Sequence, residues 1–151
     1  MLILCQEPAQ AQPDPQDLIN ALSHPVDTLY GDLSPEDERA HLDNLAVALQ
    51  QDKEQIAYLL LYAGRLACAG EIQARAVRMK NYLVKKHGIQ PERVVWKDGG
   101  YRDVLTVEVL VWPRSAGEPS VVPTVASSEA QIKNCKSKSK DRQGRRNRRK
   151  P

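Results

Sequence analysis

Histidine and cysteine are scarce in this chain, three of each in 151 residues. His24, His41 and His87 lie far apart and form no set with metal-ligand spacing, so each reads as a surface residue rather than a ligand. No apolar run approaches the roughly 18–20 residues that span a bilayer, which predicts no transmembrane segment. There is no Ser-His-Asp arrangement in a recognisable local context, no phosphate-cradling glycine loop and no carboxylate pair in an apolar setting. Asp98-Gly99-Gly100 hints at phosphate, but it precedes a strand rather than a helix N-terminus, and a hairpin turn accounts for it better. These absences predict a non-catalytic protein without a cofactor.

The start of the chain has half of a secretory signal. Met1 to Cys5 is apolar, and Ala9-Gln10-Ala11 has the small-x-small pattern of a cleavage site. The apolar run is short, however, and no basic residues precede it. Residues 1–11 therefore read as a possible truncated signal peptide, and residues 12–24 as a Pro/Gln-rich linker. Leu4 stands where a lipoprotein needs a small residue before Cys5, which argues against lipidation. With the leader removed, Cys68 and Cys135 remain. An even pair in an oxidising compartment could bridge. Cys135 lies in a segment expected to be disordered, and nothing in the spacing demands pairing, which favours two unrelated thiols.

Charge is unevenly spread. The whole chain carries +3, yet residues 133–151 hold ten Lys or Arg against the single acid Asp141. What remains is a mildly acidic body joined to a strongly basic tail. The tail has Arg145-Arg146 and Arg148-Arg149 but no aromatics, so it lacks the stacking groups of base recognition. Attraction to phosphates or other anionic polymers is what it offers.

Between the ends, periodicity defines the elements. Residues 26–30 alternate as a short edge strand. Ser34 at an N-cap, Pro35 at the first helical position and acids in the first turn open a helix, with Leu42, Leu45, Ala46 and Leu49 as its buried stripe. The unbroken apolar run 56–63 predicts a buried strand. A turn bracketed by Gly64 and Gly70 leads to a helix from about Ala69, with Ile72, Ala76, Met79 and Leu83 on one face and Gly88 as its stop. Residues 93–97 form a strand, Asp98-Gly99-Gly100 a turn, and Leu105, Val107, Val109 and Val111 the inward side of a last strand closed by Pro113. The order β-α-β-α-β-β predicts an α+β two-layer sandwich, with two helices on one face of a small mixed sheet over residues 25–113. Residues 114–151, Pro/Ser-rich and then polybasic, are expected to hold no stable structure.

This order, with Leu42-Asp43-Asn44-Leu45-Ala46 in the first helix, resembles the OmpA-like domain of bacterial envelope proteins. Arg75-Ala76, followed at the right spacing by Tyr82-Leu83, Gly88-Ile89 and Arg93-Val94, is similar to that family's second helix and strand entry. Val107-Glu108-Val109 is similar to its last strand, and Asp98 to Arg102 resembles a turn in small secreted bacterial proteins. The family holds the zwitterion diaminopimelate of peptidoglycan with an Asp after the second strand and the Arg of the R-A pair. An arginine fork suits the carboxylate, and an acid suits the ammonium. Arg75 stands at the arginine position, but Gly64-Arg65-Leu66 replaces the family's G-H-T-D. The loop is shorter and the basic pair before the last strand is missing.

The resemblance thus implies a cell-envelope module, periplasmic or secreted, that binds peptidoglycan weakly or has lost it, or that contacts another envelope protein. Arg75 is the candidate carboxylate fork, with Glu71 or Asp98 as ammonium partners; Arg65, Tyr101 and Arg102 are further polar groups near the strand ends. The plainer alternative for Arg75 is a helix-surface residue paired with Glu71 one turn earlier. If the leader is not a signal, the chain reads instead as a cytoplasmic α/β domain whose tail attracts nucleic acid.

Overall fold

The structure, a computed structural model, describes residues 28–135. The leader, the linker, the first two residues of the predicted edge strand, His24 and the basic tail beyond Cys135 lie outside the described residues.

The elements are β1 (Thr28–Tyr30), α1 (Pro35–Gln51), β2 (Gln55–Ala63), β3 (Leu66–Cys68), α2 (Glu71–His87), β4 (Val94–Tyr101), β5 (Thr106–Pro113) and β6 (Gln131–Lys133). The chain is α+β, with two helices, a four-stranded mixed sheet ordered β1-β5-β2-β4 and a two-stranded sheet of β3 and β6. Strand β2 is central, parallel to β4 on one side and antiparallel to β5 on the other. Strand β1 closes the far edge against β5, where Thr28 faces Val109 and Tyr30 faces Val107.

The helices form where the local chemistry directs. The Ser34 hydroxyl accepts from the Asp37 N–H at 3.2 Å, capping α1, and Leu42, Leu45, Ala46 and Leu49 are buried along it. Helix α2 starts two residues later than expected, because Gly70 sits left-handed at φ 74° and serves as its N-cap. It ends at Gly88, φ 66°, whose N–H returns to the Val84 carbonyl. Ile72, Ala76, Met79 and Leu83 pack with Ala57, Leu59, Leu61 and Ala63 of β2 in the main core.

The unbroken apolar run of β2 has a structural cause. Its alternate residues Ile56, Tyr58, Leu60 and Tyr62 form a second buried cluster on the other sheet face, with Val95, Leu110 and Trp112 against it. The chain after β5 comes back to this side. Pro119 is buried, and Lys97 of β4 holds Glu118 at 2.6 Å and donates to the Pro119 carbonyl. The Val122 N–H donates to the Tyr62 hydroxyl, and the Thr124 and Val125 N–H groups donate to the Tyr101 carbonyl. Strand β6 then pairs in parallel with β3.

Four expectations are corrected. The packed unit does not stop at Pro113; residues 114–135 are folded back on it, held by backbone partners that composition does not reveal. Cys68 and Cys135 are not separate thiols but a disulfide, with Cα atoms 5.4 Å apart. Asp98-Gly99-Gly100 is not a hairpin turn, since it lies inside β4, and β4 and β5 flank β2 instead of pairing with each other. The link between them crosses the end of β2, where Arg102 N–H donates to the Ala63 carbonyl and a Cβ at Gly64 would crowd the Leu105 N–H. The two glycines serve other ends: Gly99 lets the Tyr62 ring lie against the backbone, and Gly100 takes φ 84°. Finally, the described histidines are half-buried. His41 stacks on Tyr30 with ring centroids 5.0 Å apart, and His87 Nε2 lies 2.6 Å from Asp43 Oδ1.

Candidate functional site

Arg75 projects from the buried face of α2, one position from Ala76, and its side chain is 6% exposed. Glu38, in the first turn of α1, is equally withdrawn at 5%. Arg75 Nε donates to Glu38 Oε1 at 2.7 Å and Nη1 donates to Asp32 Oδ1 at 2.8 Å. Nη2 points to the Leu33 carbonyl at 3.5 Å. Burial would push the guanidinium down, but the hydrogen bonds to Asp32 and Glu38 outweigh it and hold the group above its ordinary value. Burial, and then the Glu38 charge, push the neighbouring Tyr30 phenol up. Arg78, exposed on the next turn, reaches the other Glu38 oxygen at 4.0 Å.

Arg75 is therefore neither a surface residue nor the partner of Glu71. Glu71 Oε2 accepts from the Cys68 N–H at 3.2 Å and ties the start of α2 to β3. Both residues do line one open cleft of about 420 Å³, with Asp32, Glu38, Cys68 and Arg78. Asp98 is exposed and accepts from the Gly100 N–H at 3.0 Å. It meets Glu71 only in a separate hollow of about 360 Å³ at the N-terminus of α2.

Arg102 is on the opposite side of the sheet. Its guanidinium lies 3.6 Å from the centre of the Tyr62 ring, with Nε donating to the Val122 carbonyl and Nη2 3.4 Å from Glu108 Oε2. Tyr62 also donates to that Glu108 oxygen, at 2.9 Å. Arg65 pairs with Asp103 at 2.7 Å and Glu129 at 3.9 Å along a groove of about 740 Å³ that includes Leu66 and Val104. Tyr101 serves through its carbonyl and a bridge to Val125. The structure thus brings Arg75 and Glu71 to one cleft, Glu71 and Asp98 to another, and leaves Arg102 out of both.

The residues that matter most to Arg75, Glu38 and Asp32, were not singled out in the sequence. A signal for Glu38 exists: counting back from Leu42, Leu45 and Leu49, it is in phase with the buried stripe, and a buried acid requires a buried base. Chemically, the arrangement leaves no free fork. A carboxylate ligand reaches Arg75 only by displacing Asp32, whose side chain is 77% exposed.

Among the described residues no group of three His, Cys, Asp or Glu gathers to hold a metal, and no helix is long and apolar enough to cross a membrane. No protein-family model, curated protein or solved structure matches the chain.

Proposed function

We propose that this chain is a non-catalytic module of the cell envelope, working on the oxidising side of the membrane as a structural or binding domain. In it, an OmpA-like clamp for peptidoglycan has been turned inward, so that Arg75 joins two helices instead of holding diaminopimelate. The observation that carries the reading is the Cys68–Cys135 disulfide, because such bonds persist in secreted and periplasmic proteins and are rare in a reducing cytosol. The sequence resemblance and the two helices on one sheet face support the envelope assignment. The engagement of Arg75 by Glu38 and Asp32 supports loss or weakening of the ligand. Partners that suit the reading are peptidoglycan, held weakly, another envelope protein, or an anionic polymer attracted by residues 133–151.

The test is sedimentation of the full chain with diaminopimelate-containing peptidoglycan at low and high salt, with thiol trapping in cells. The expected result is an oxidised cysteine pair, with retention that is absent or vanishes with salt, as simple charge attraction does. Salt-resistant retention abolished by Arg75→Lys would instead mean a working clamp. Reduced cysteines in cells would overturn the compartment and favour the cytoplasmic, nucleic-acid-attracting alternative.

A further inference from the structure

The segment after β5 covers an apolar sheet face, held by scattered polar contacts and by two buried side chains, Pro119 and Val125. Among its contacts, Lys97 binds Glu118 and the Pro119 carbonyl, Val122 meets Tyr62 and Arg102, two N–H groups share the Tyr101 carbonyl, Glu129 faces Arg65, and the Gln131 N–H donates to the Arg65 carbonyl. Its end is a three-residue strand, β6, with every residue exposed. Two short paired strands are marginal by themselves in water, and each ordered residue costs backbone entropy. The far end is fixed by the β3–β6 ladder, by the Ala69 N–H donating to the Lys133 carbonyl at 2.9 Å, and by one covalent bond, from Cys135 to Cys68 beside the start of α2. Underneath lie Tyr58, Leu60 and Tyr62, all buried, with Trp112 packed against them.

We propose that this disulfide is a redox latch: closed, it keeps residues 114–135 strapped over the aromatic sheet face; opened, it frees the strap and uncovers Tyr58, Leu60 and Tyr62. The co-reactant is a dithiol reductant. Its thiolate attacks the sulfur of Cys135, an exposed residue, the S–S bond breaks, and Cys68 leaves as a thiolate. The second thiol of the reductant then displaces Cys135 and closes the reductant's own disulfide. Two electrons pass to the cysteine pair, and the two thiolates take up protons from water. The main core contains neither cysteine, although Ala67 beside Cys68 belongs to it, and it is expected to stay packed when the bond opens. Opening also separates β6 from β3 and removes Glu129 and Gln131 from the wall of the groove at Arg65. The device does not depend on any ligand of the cleft at Arg75.

Hydrogen exchange on the full chain, with and without excess dithiothreitol, tests it. On reduction the amides of Val122, Thr124, Val125 and Gln131 are expected to lose protection while those of β2 and α2 keep theirs, and an apolar dye gains fluorescence. Cys68→Ser/Cys135→Ser should show the same pattern without reductant. Two results would overturn the latch: continued protection of residues 118–135 once both thiols are shown to be free, or loss of protection in β2 and α2 together with the strap. The second would make the bond a staple of the whole fold.

Discussion

Arg75 Nε donates to Glu38 Oε1 at 2.7 Å across the interface of α2 and α1, with both side chains more than nine-tenths buried. Neither charge has water to fall back on, so the pair is costly to break even where it adds little to net stability. Arg75→Ala is expected to destabilise the domain by about 3–5 kcal/mol, because it leaves the buried Glu38 carboxylate with only the exposed Arg78, 4.0 Å from its other oxygen. Arg75→Met with Glu38→Leu should recover most of that loss. Asp32→Ala, which removes the exposed partner, should cost no more than about 1 kcal/mol. Urea unfolding midpoints at constant slope decide; equal losses for Arg75→Ala and Asp32→Ala would contradict this ranking.

That pair also marks where sequence reading succeeds and fails. The stripes 42-45-46-49 and 72-76-79-83 were legible because burial is periodic along a helix, and all eight residues are buried. The strand 56–63 was legible because a central strand is apolar on both faces. Glu38 and Arg75 lie in those same stripes, but residue type points elsewhere: acids in a first turn suit any helix N-terminus, and Arg75 reads as a ligand fork or a surface ion. Pairing was hidden for a different reason. Whether β4 meets β5 or β2 depends on non-local hydrogen bonds, and glycines look alike in a turn and beneath a tyrosine ring. Residues 114–135 were missed because Pro, Ser and Gly are what a disordered segment contains. Their order comes from partners on β2, β3, β4 and the loops after β2 and β4, together with a bond between cysteines 67 residues apart.

Gly99 separates these two meanings of glycine. A Cβ at this position would overlap the Tyr62 ring, and that ring cannot easily move. Its hydroxyl is held by Glu108 and Val122, and Arg102 lies over its face. Gly99→Ala is therefore expected to cost about 1–3 kcal/mol as an overpacked site. Gly31→Ala, whose nearest neighbour would be the Leu105 carbonyl at 3.6 Å, should fall within about 0.5 kcal/mol of the parent. Thermal unfolding of both variants checks the contrast; a silent Gly99→Ala would mean that Tyr62 is free to swing away.

The phase of α2 makes a second contrast. Leu83 is fully buried in the main core and Lys85, two residues on, is exposed. Leu83→Ala should cost about 2–5 kcal/mol, and Lys85→Ala about 0.5 kcal/mol or less. Denaturant unfolding measures both, and similar losses would place the wrong face of the helix inward.

Asp43 on α1 accepts from the Tyr82 hydroxyl at 2.8 Å, lies 2.6 Å from His87 Nε2 and is 3.8 Å from Lys86 Nζ. The Tyr82 hydrogen bond first, and then that of His87, hold its carboxyl below the usual value. The backbone N–H of Glu54, followed by the Gln55 side chain, does the same for Asp52 at the end of α1. A carboxylate with a depressed folded-state pKa binds its proton more weakly in the folded than in the unfolded chain. Its contribution is fully present above the unfolded value of about 3.9 and is lost as pH falls through the lower folded value. Stability should therefore decline on acidification below about pH 4. Asp43→Asn should flatten part of that decline, and Asp43→Asn with Asp52→Asn more of it. Urea unfolding at a series of acid pH values reads the slope directly. A slope unchanged in the double variant would show that these carboxylates have no differential proton affinity between the folded and unfolded chains.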